Sequence, residues 1–176
     1  MPPRVIADPD TAPTRPQETA TDNVSAPVSA ELDALLDSLR VTPEAVSKAR
    51  RNDLSGIPSQ HREKVAAWYA QACGLNPTHV SILASKRGDI VYVKASGVYE
   101  YARGKYQSVK AHSPELFGSR TVIVRATVTL KDGSTVEQFA ARECGNALDI
   151  MACATAATVR ALRLALGIPL PSEGEL

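Results

Sequence analysis

The stretch Asn146–Pro169, NALDIMACATAATVRALRLALGIP, decides how the chain is read. Asn146 is of the type that caps a helix, and Asp149, three residues on, is placed for the exposed amides of the first turn. Gly167 suits the left-handed residue that ends a helix, and Pro169 stops any continuation. Leu148, Met151 or Ala152, Thr155, Val159, Leu162 and Leu166 recur at helical spacing, which predicts the packed stripe. Arg160 and Arg163 lie three apart on another side. Ala152, Ala154, Ala156, Ala157 and Ala161 keep the surface shallow and allow a close approach. The stretch predicts a helix laid across a small sheet and carrying two arginines towards an anionic partner.

The sheet is written just upstream. From Thr121 to Leu130, Val122, Val124, Ala126, Val128 and Leu130 alternate with Ile123, Arg125, Thr127 and Thr129, the period of a strand with two different faces. Lys131-Asp132-Gly133 is a turn, and Ser134–Ala141 is the returning strand. A two-residue Asp-Gly loop places Glu137 opposite Val128. A three-residue loop with Gly133 in the left-handed position places Val136 there. The second is preferred, because a slip of one residue carries the apolar set to the wrong face. Earlier in the chain, Val80–Ala84 and Ile90–Lys94 read as strands joined by a turn at 85–89. Ser96 caps a short helix through Tyr101, closed by Gly104, and Tyr106–Ala111 is a further strand.

Three helices precede these strands. Ser29–Arg40 is amphipathic on Leu32, Leu35, Leu36 and Leu39. Thr42-Pro43 opens a short helix to about Arg50. Ser59 caps a stronger one, Gln60–Cys73, with Val65, Trp68, Tyr69 and Ala72 on its buried side and Gly74 at its end. The predicted order is α-α-α-β-β-α-β-β-β-α. This is an α+β fold, a small and mostly antiparallel ββαβββ sheet covered by the long C-terminal helix, with short N-terminal helices. Six of the twelve prolines fall in residues 1–27, so 1–28 is expected to be a disordered acidic tail. Residues 29–170 are expected to form one domain, and 171–176 a flexible end.

Composition limits the function classes. The chain has 176 residues and a formal net charge of +1, enough for one domain with a real core. The charge is unevenly spread: 1–29 is net −2, whereas Val80–Leu170 carries twelve Lys/Arg against seven acids, net +5. A basic body is compatible with a nucleic-acid partner. Cys73, Cys144 and Cys153 show no CxxC spacing and suit a reducing compartment. The N-terminus lacks a signal-peptide core, and no apolar run approaches the ~20 residues of a membrane span, so the expected location is the cytoplasm.

Chemical signatures are sparse. There is no GxxxxGK[ST], no GxGxxG after a strand and no GxSxG. His61, His79 and His112 are scattered, so neither a zinc site nor a cofactor is expected. Cys73 and His79 read more simply as a helix-end cysteine and a loop histidine than as a catalytic pair. Asp89, Glu100, Asp132, Glu137, Glu143 and Asp149 show no spacing that demands two-metal chemistry. A binding protein rather than an enzyme is expected. Its candidate residues are basic and interleaved with tyrosines, the pattern of a single-stranded nucleic-acid groove. They are Lys86 and Arg87 on a hairpin tip, Tyr92 and Lys94 on a strand, Arg103 and Lys105 after the short helix, Arg125 on the long hairpin, and Arg160 and Arg163. Tyr99, Tyr101 and Tyr106 lie among them.

Four features taken together resemble phage-type single-strand annealing proteins, ATP-independent recombination mediators of the ring-forming annealing superfamily. These are the Gly74-Leu75-Asn76-Pro77 bend, Tyr92 with Lys94, the Asp132-Gly133 hairpin, and Thr158-Val159-Arg160-Ala161-Leu162-Arg163 in an Ala/Thr-rich helix. The resemblance covers about 62–169. The chain departs from the pattern at Ala154, Ala156 and Ala157, where relatives commonly carry a Lys or Arg, and in its short C-terminal extension. The resemblance implies non-covalent binding of single-stranded DNA and annealing of complementary strands in recombination and repair. It also implies homo-oligomeric rings or arcs, with a phage exonuclease or a host single-strand-binding protein as further partners. Two other readings stay open: a non-catalytic α+β interaction module with the acidic tail as tether, and a divergent metal-dependent nuclease.

Overall fold

A computed structural model describes residues 26–86, 88–172 and 175. The tail expected at 1–28 lies outside these residues as far as position 25, as does Arg87. Helices α1 (Ala26–Ser38), α2 (Pro43–Ala49) and α3 (Ser59–Ala72) come first. Strands β1 (Val80–Ser85) and β2 (Gly88–Val93) follow a single 3-10 turn. Helix α4 (Ala95–Ala102) leads to β3 (Tyr106–Ala111), β4 (Glu115–Phe117), β5 (Thr121–Leu130) and β6 (Thr135–Glu143), and α5 (Ala147–Ala165) completes the order. The fold is α+β with antiparallel sheets, as the sequence predicts.

The strands form two sheets rather than one. β1 and β2 pair only with each other as a hairpin. In the second sheet β5 is central, with β6 along one side and β3 and β4 end to end along the other. β4 was not expected; it is three residues long and follows Pro114, too short for an alternating pattern to show. The β5–β6 register sets Val128 opposite Val136, as the three-residue loop requires, and Gly133 is at φ +86°. Asp132 fixes the turn by accepting from the Ser134 amide and hydroxyl.

Val122, Val124, Ala126 and Val128 are fully buried on the face of β5 that α5 covers. The N-terminus of α5 is a full capping box: Asn146 accepts from the amides of Leu148 and Asp149, and Asp149 accepts from that of Asn146. The buried face of α5 follows the predicted stripe at Val159 and Leu162 and departs from it in the first turns. Leu148 and Met151 are exposed, while Cys153, Ala157, Thr158, Val159, Ala161 and Leu162 are buried. The cause is a close approach: Cys153 Sγ lies 3.1 Å from the Ala140 carbonyl and 3.7 Å from that of Val122. A helix this near a strand backbone admits only small side chains between the two.

The start of α3 also differs. Pro58 occupies the cap position without a side-chain bond and Ser59 is the first helical residue. Arg62 anchors the turn instead, donating to the Ile57 carbonyl at 2.7 Å and pairing with Asp89 of β2. Leu32 and Leu36 place α1 in the core against α3. The chain beyond α5 is held at its described residues rather than loose. The Val93 amide donates to the Pro171 carbonyl at 2.9 Å, and Ser172 is buried beside Val93.

Candidate nucleic-acid interface

The basic residues singled out from the sequence fall in three places. Lys86 is exposed at the tip of the β1–β2 hairpin, and Tyr92 is half-buried within β2. Around α4, Lys94 is the residue before the first helical turn rather than the end of a strand, and its Nζ donates to the Thr78 carbonyl at 3.0 Å. Arg103 is exposed at the end of that helix, and Lys105 Nζ sits 3.2 Å from the centre of the Tyr101 ring, a cation–π contact. The third place is the junction of β5, β6 and α5.

At that junction the two arginines of α5 part company. Arg163 turns towards the end of the chain. Its guanidinium donates to the Ile168 carbonyl at 3.0 Å and to Glu175 at 2.5 Å, with only 13% of the side chain exposed. Burial pushes the Glu175 carboxyl up, but hydrogen bonds from Arg163 and Ser172 outweigh it, and the group ends below its ordinary value. Arg163 is therefore a clamp and does not share a groove with Arg160. Arg160 instead reaches β6, where Nη1 donates to the Phe139 carbonyl at 2.9 Å.

The hydrogen bonds fix which way the strands face. The His112 amide donates to the Arg125 carbonyl at 2.8 Å, so the backbone of Arg125 points towards the β3–β4 side. Its antiparallel partner Phe139 consequently turns its own N–H and C=O away from β5, which is where Arg160 meets them. The same parity sends the backbone groups of Ala141 and Glu143 to the free edge of β6.

Along that edge runs a groove of about 510 Å³. Ala140, Ala141 and Arg142 form its β6 wall, Ala152, Thr155, Ala156 and Arg160 its α5 wall, and Ala95 at the start of α4 closes it. Ala152 and Ala156, two of the alanines flagged in the sequence, supply part of the shallow floor. Arg142 makes no ion pair with another described residue.

On the other face of the sheet, Phe139 is 58% exposed and directly opposite Arg125. Arg125 lies between Glu115 at 3.7 Å and Glu137 at 3.9 Å, with all three side chains more than half exposed. Exposed pairs this long contribute about 0–1 kcal/mol, so Arg125 can exchange them for a phosphate at little cost. Phe139 and Arg142 were not singled out from the sequence. Phe139 was within reach, since the preferred hairpin register already sets it against Arg125.

Among the described residues no group of three or more His, Cys, Asp or Glu side chains is placed to hold a metal ion, and no helix is long and apolar enough to cross a membrane. The chain matches no protein-family model and no curated protein sequence.

Proposed function

We propose that the protein binds single-stranded DNA and anneals complementary strands without covalent chemistry. One arrangement carries the reading: the free edge of β6 has Arg142 and Arg160 in the groove on one face of the sheet, and the exposed Phe139 ring beside Arg125 on the other. Cations that follow phosphates beside a ring that stacks on bases make a sequence-tolerant single-strand site. Arg142 and Arg160 neutralise the backbone along the groove, and a strand that passes over the β6 edge reaches Phe139, which stacks on a base beside Arg125. Lys94 flanks the closed end, next to Ala95. Specificity then comes from base pairing between strands, and the protein supplies charge neutralisation and an extended geometry. Assembly of copies into a ring or arc belongs to the same proposal, as do an exonuclease or a single-strand-binding protein as partners and the cytoplasm as location.

The test is fluorescence anisotropy with a labelled single-stranded oligonucleotide at low and high salt, together with annealing of two complementary strands. Binding at low salt, lost in Arg142→Ala/Arg160→Ala with circular dichroism unchanged, is expected. No binding at low salt overturns the proposal. A second reading, a non-catalytic protein-interaction module, is favoured by the exposure of Leu116, Phe117, Leu148 and Met151. It predicts association with no effect of DNA, which light scattering with and without oligonucleotide distinguishes.

A further inference from the structure

A further cavity opens on the face of the larger sheet that α5 leaves bare. It measures about 340 Å³ and is lined by Ile123, Arg125, Glu137, Gln138 and Phe139, within the size range of small-ligand sites. Arg125 and Phe139 turn their backbone groups away from each other. They are therefore a non-hydrogen-bonded pair, the kind in which facing side chains come closest. Thr127 and Glu137 form the next such pair along the hairpin. The cavity thus gathers a ring, a guanidinium and a carboxylate from two neighbouring rungs of β5 and β6.

The polar groups are positioned without being used up. Arg125 Nη1 and Glu137 Oε1 are 3.9 Å apart, beyond hydrogen-bonding distance. Glu137 is steadied from behind: the Thr127 hydroxyl donates to its Oε2 at 3.3 Å and itself lies 2.8 Å from His112 Nε2. A carboxylate has about four acceptor positions, so one long bond to Thr127 leaves both oxygens able to accept. Glu115 holds Arg125 from the other side, 3.7 Å from Nε. A phosphate would have to draw Arg125 away from two carboxylates. A flat ligand with donors and acceptors along one edge needs no such exchange, because it can use Arg125 and Glu137 together while its face lies on Phe139.

Nucleobases are such ligands, and their edges differ. Guanine alone has two neighbouring N–H donors, at N1 and N2, beside an acceptor, O6. That edge can match both Glu137 oxygens and the Arg125 guanidinium at once. Adenine, cytosine and thymine each bring a single donor group, so at most one Glu137 oxygen is matched. We propose that the cavity takes a guanine base, stacked on Phe139, with N1–H and N2–H donating to Glu137 and O6 accepting from Arg125. A site otherwise tolerant of sequence thereby gains a preference for guanine. The preference along a strand rests on the function proposed above; the base pocket itself does not.

The experiment uses the full chain and two readouts. Anisotropy at low salt compares labelled oligothymidylates that carry one central guanine, adenine, cytosine or hypoxanthine. Amide shifts of Glu137 and Phe139 on titration with guanosine or adenosine read the pocket without a strand. Guanine is expected to bind about five- to tenfold more tightly than adenine or cytosine, and hypoxanthine, which lacks the N2 amino group, to lose most of that advantage. Glu137→Gln keeps the size of the side chain but exchanges an acceptor for a donor. It should abolish the guanine advantage, with plain oligothymidylate binding and circular dichroism nearly unchanged. Guanosine should shift the two amides at lower concentration than adenosine. Equal affinity for all four oligonucleotides, or a guanine advantage that survives Glu137→Gln, overturns the pocket and leaves strand binding standing. Guanosine-specific shifts with no oligonucleotide binding uphold the pocket and overturn the strand-binding reading. No response to either ligand overturns both.

Discussion

Arg160 and Arg163 sit one helical turn apart, yet they face different consequences on substitution. Arg163 lies between a backbone carbonyl and a largely buried carboxylate. Removing it leaves Glu175 charged and enclosed, which costs about 3 kcal/mol for a pair of this kind. Arg163→Ala should therefore lower the urea midpoint sharply. Phe139→Ala, at a side chain 58% exposed, should leave the midpoint nearly unchanged but weaken single-strand binding by about 1–3 kcal/mol, the usual worth of one stacked base. If Phe139→Ala unfolds the protein and Arg163→Ala does not, the two roles have been assigned the wrong way round. The clamp also gives a pH dependence. A carboxyl held below its ordinary 4.5 in the folded state contributes stability above that value and loses the contribution as pH falls through the folded one. Wild type should exceed Glu175→Gln in urea midpoint at neutral pH, with the gap shrinking as pH falls below the ordinary carboxylate range.

At the scale of elements, the parts governed by local rules were legible and the parts governed by contact were not. The hairpin could be read because alternation on β5 and the Asp-Gly turn constrain the register independently and agree. The ends of α5 could be read because Asn146, Asp149 and Gly167 act on their own neighbours. Asn146→Ala should cost about 1 kcal/mol by removing the side-chain acceptor for two amides, seen as a lower melting temperature with an unchanged spectrum. Hydrophobic spacing gave the C-terminal half of the buried face of α5, at Val159 and Leu162, but not the N-terminal half, where the sheet comes too close for Leu148 and Met151 and selects cysteine and alanine. The same close packing makes the groove shallow. The fate of Arg163 was hidden for another reason: its partner, Glu175, is twelve residues on, beyond the helix end, and no helical spacing relates the two.

For the whole molecule, the basic excess between Val80 and Leu170 overstates what a ligand meets. Arg163 is consumed internally and Arg125 is shared with two glutamates, while Arg142 and Arg160 line the groove and Lys94 precedes the Ala95 that closes it. The proposed binding then predicts two to four phosphate contacts per chain. The log–log dependence of affinity on salt should then have a slope of roughly −1.4 to −2.8, at about −0.7 per phosphate. A slope near zero would place binding elsewhere or make it non-electrostatic.

The contact between Val93 and the Pro171–Ser172 segment has a consequence for cooperativity. It joins the β1–β2 hairpin to the far end of α5, so neither half can melt while the other keeps its full set of bonds. Trp68, the single tryptophan, reports from α3, whereas the backbone amide resonances of β5 and β6 report from the larger sheet. In the wild-type chain the two signals should trace one denaturation curve. In Arg163→Ala/Glu175→Gln, where the end of the chain is released, they should separate into two, and the protein would behave as two coupled bodies whose fastening had been undone.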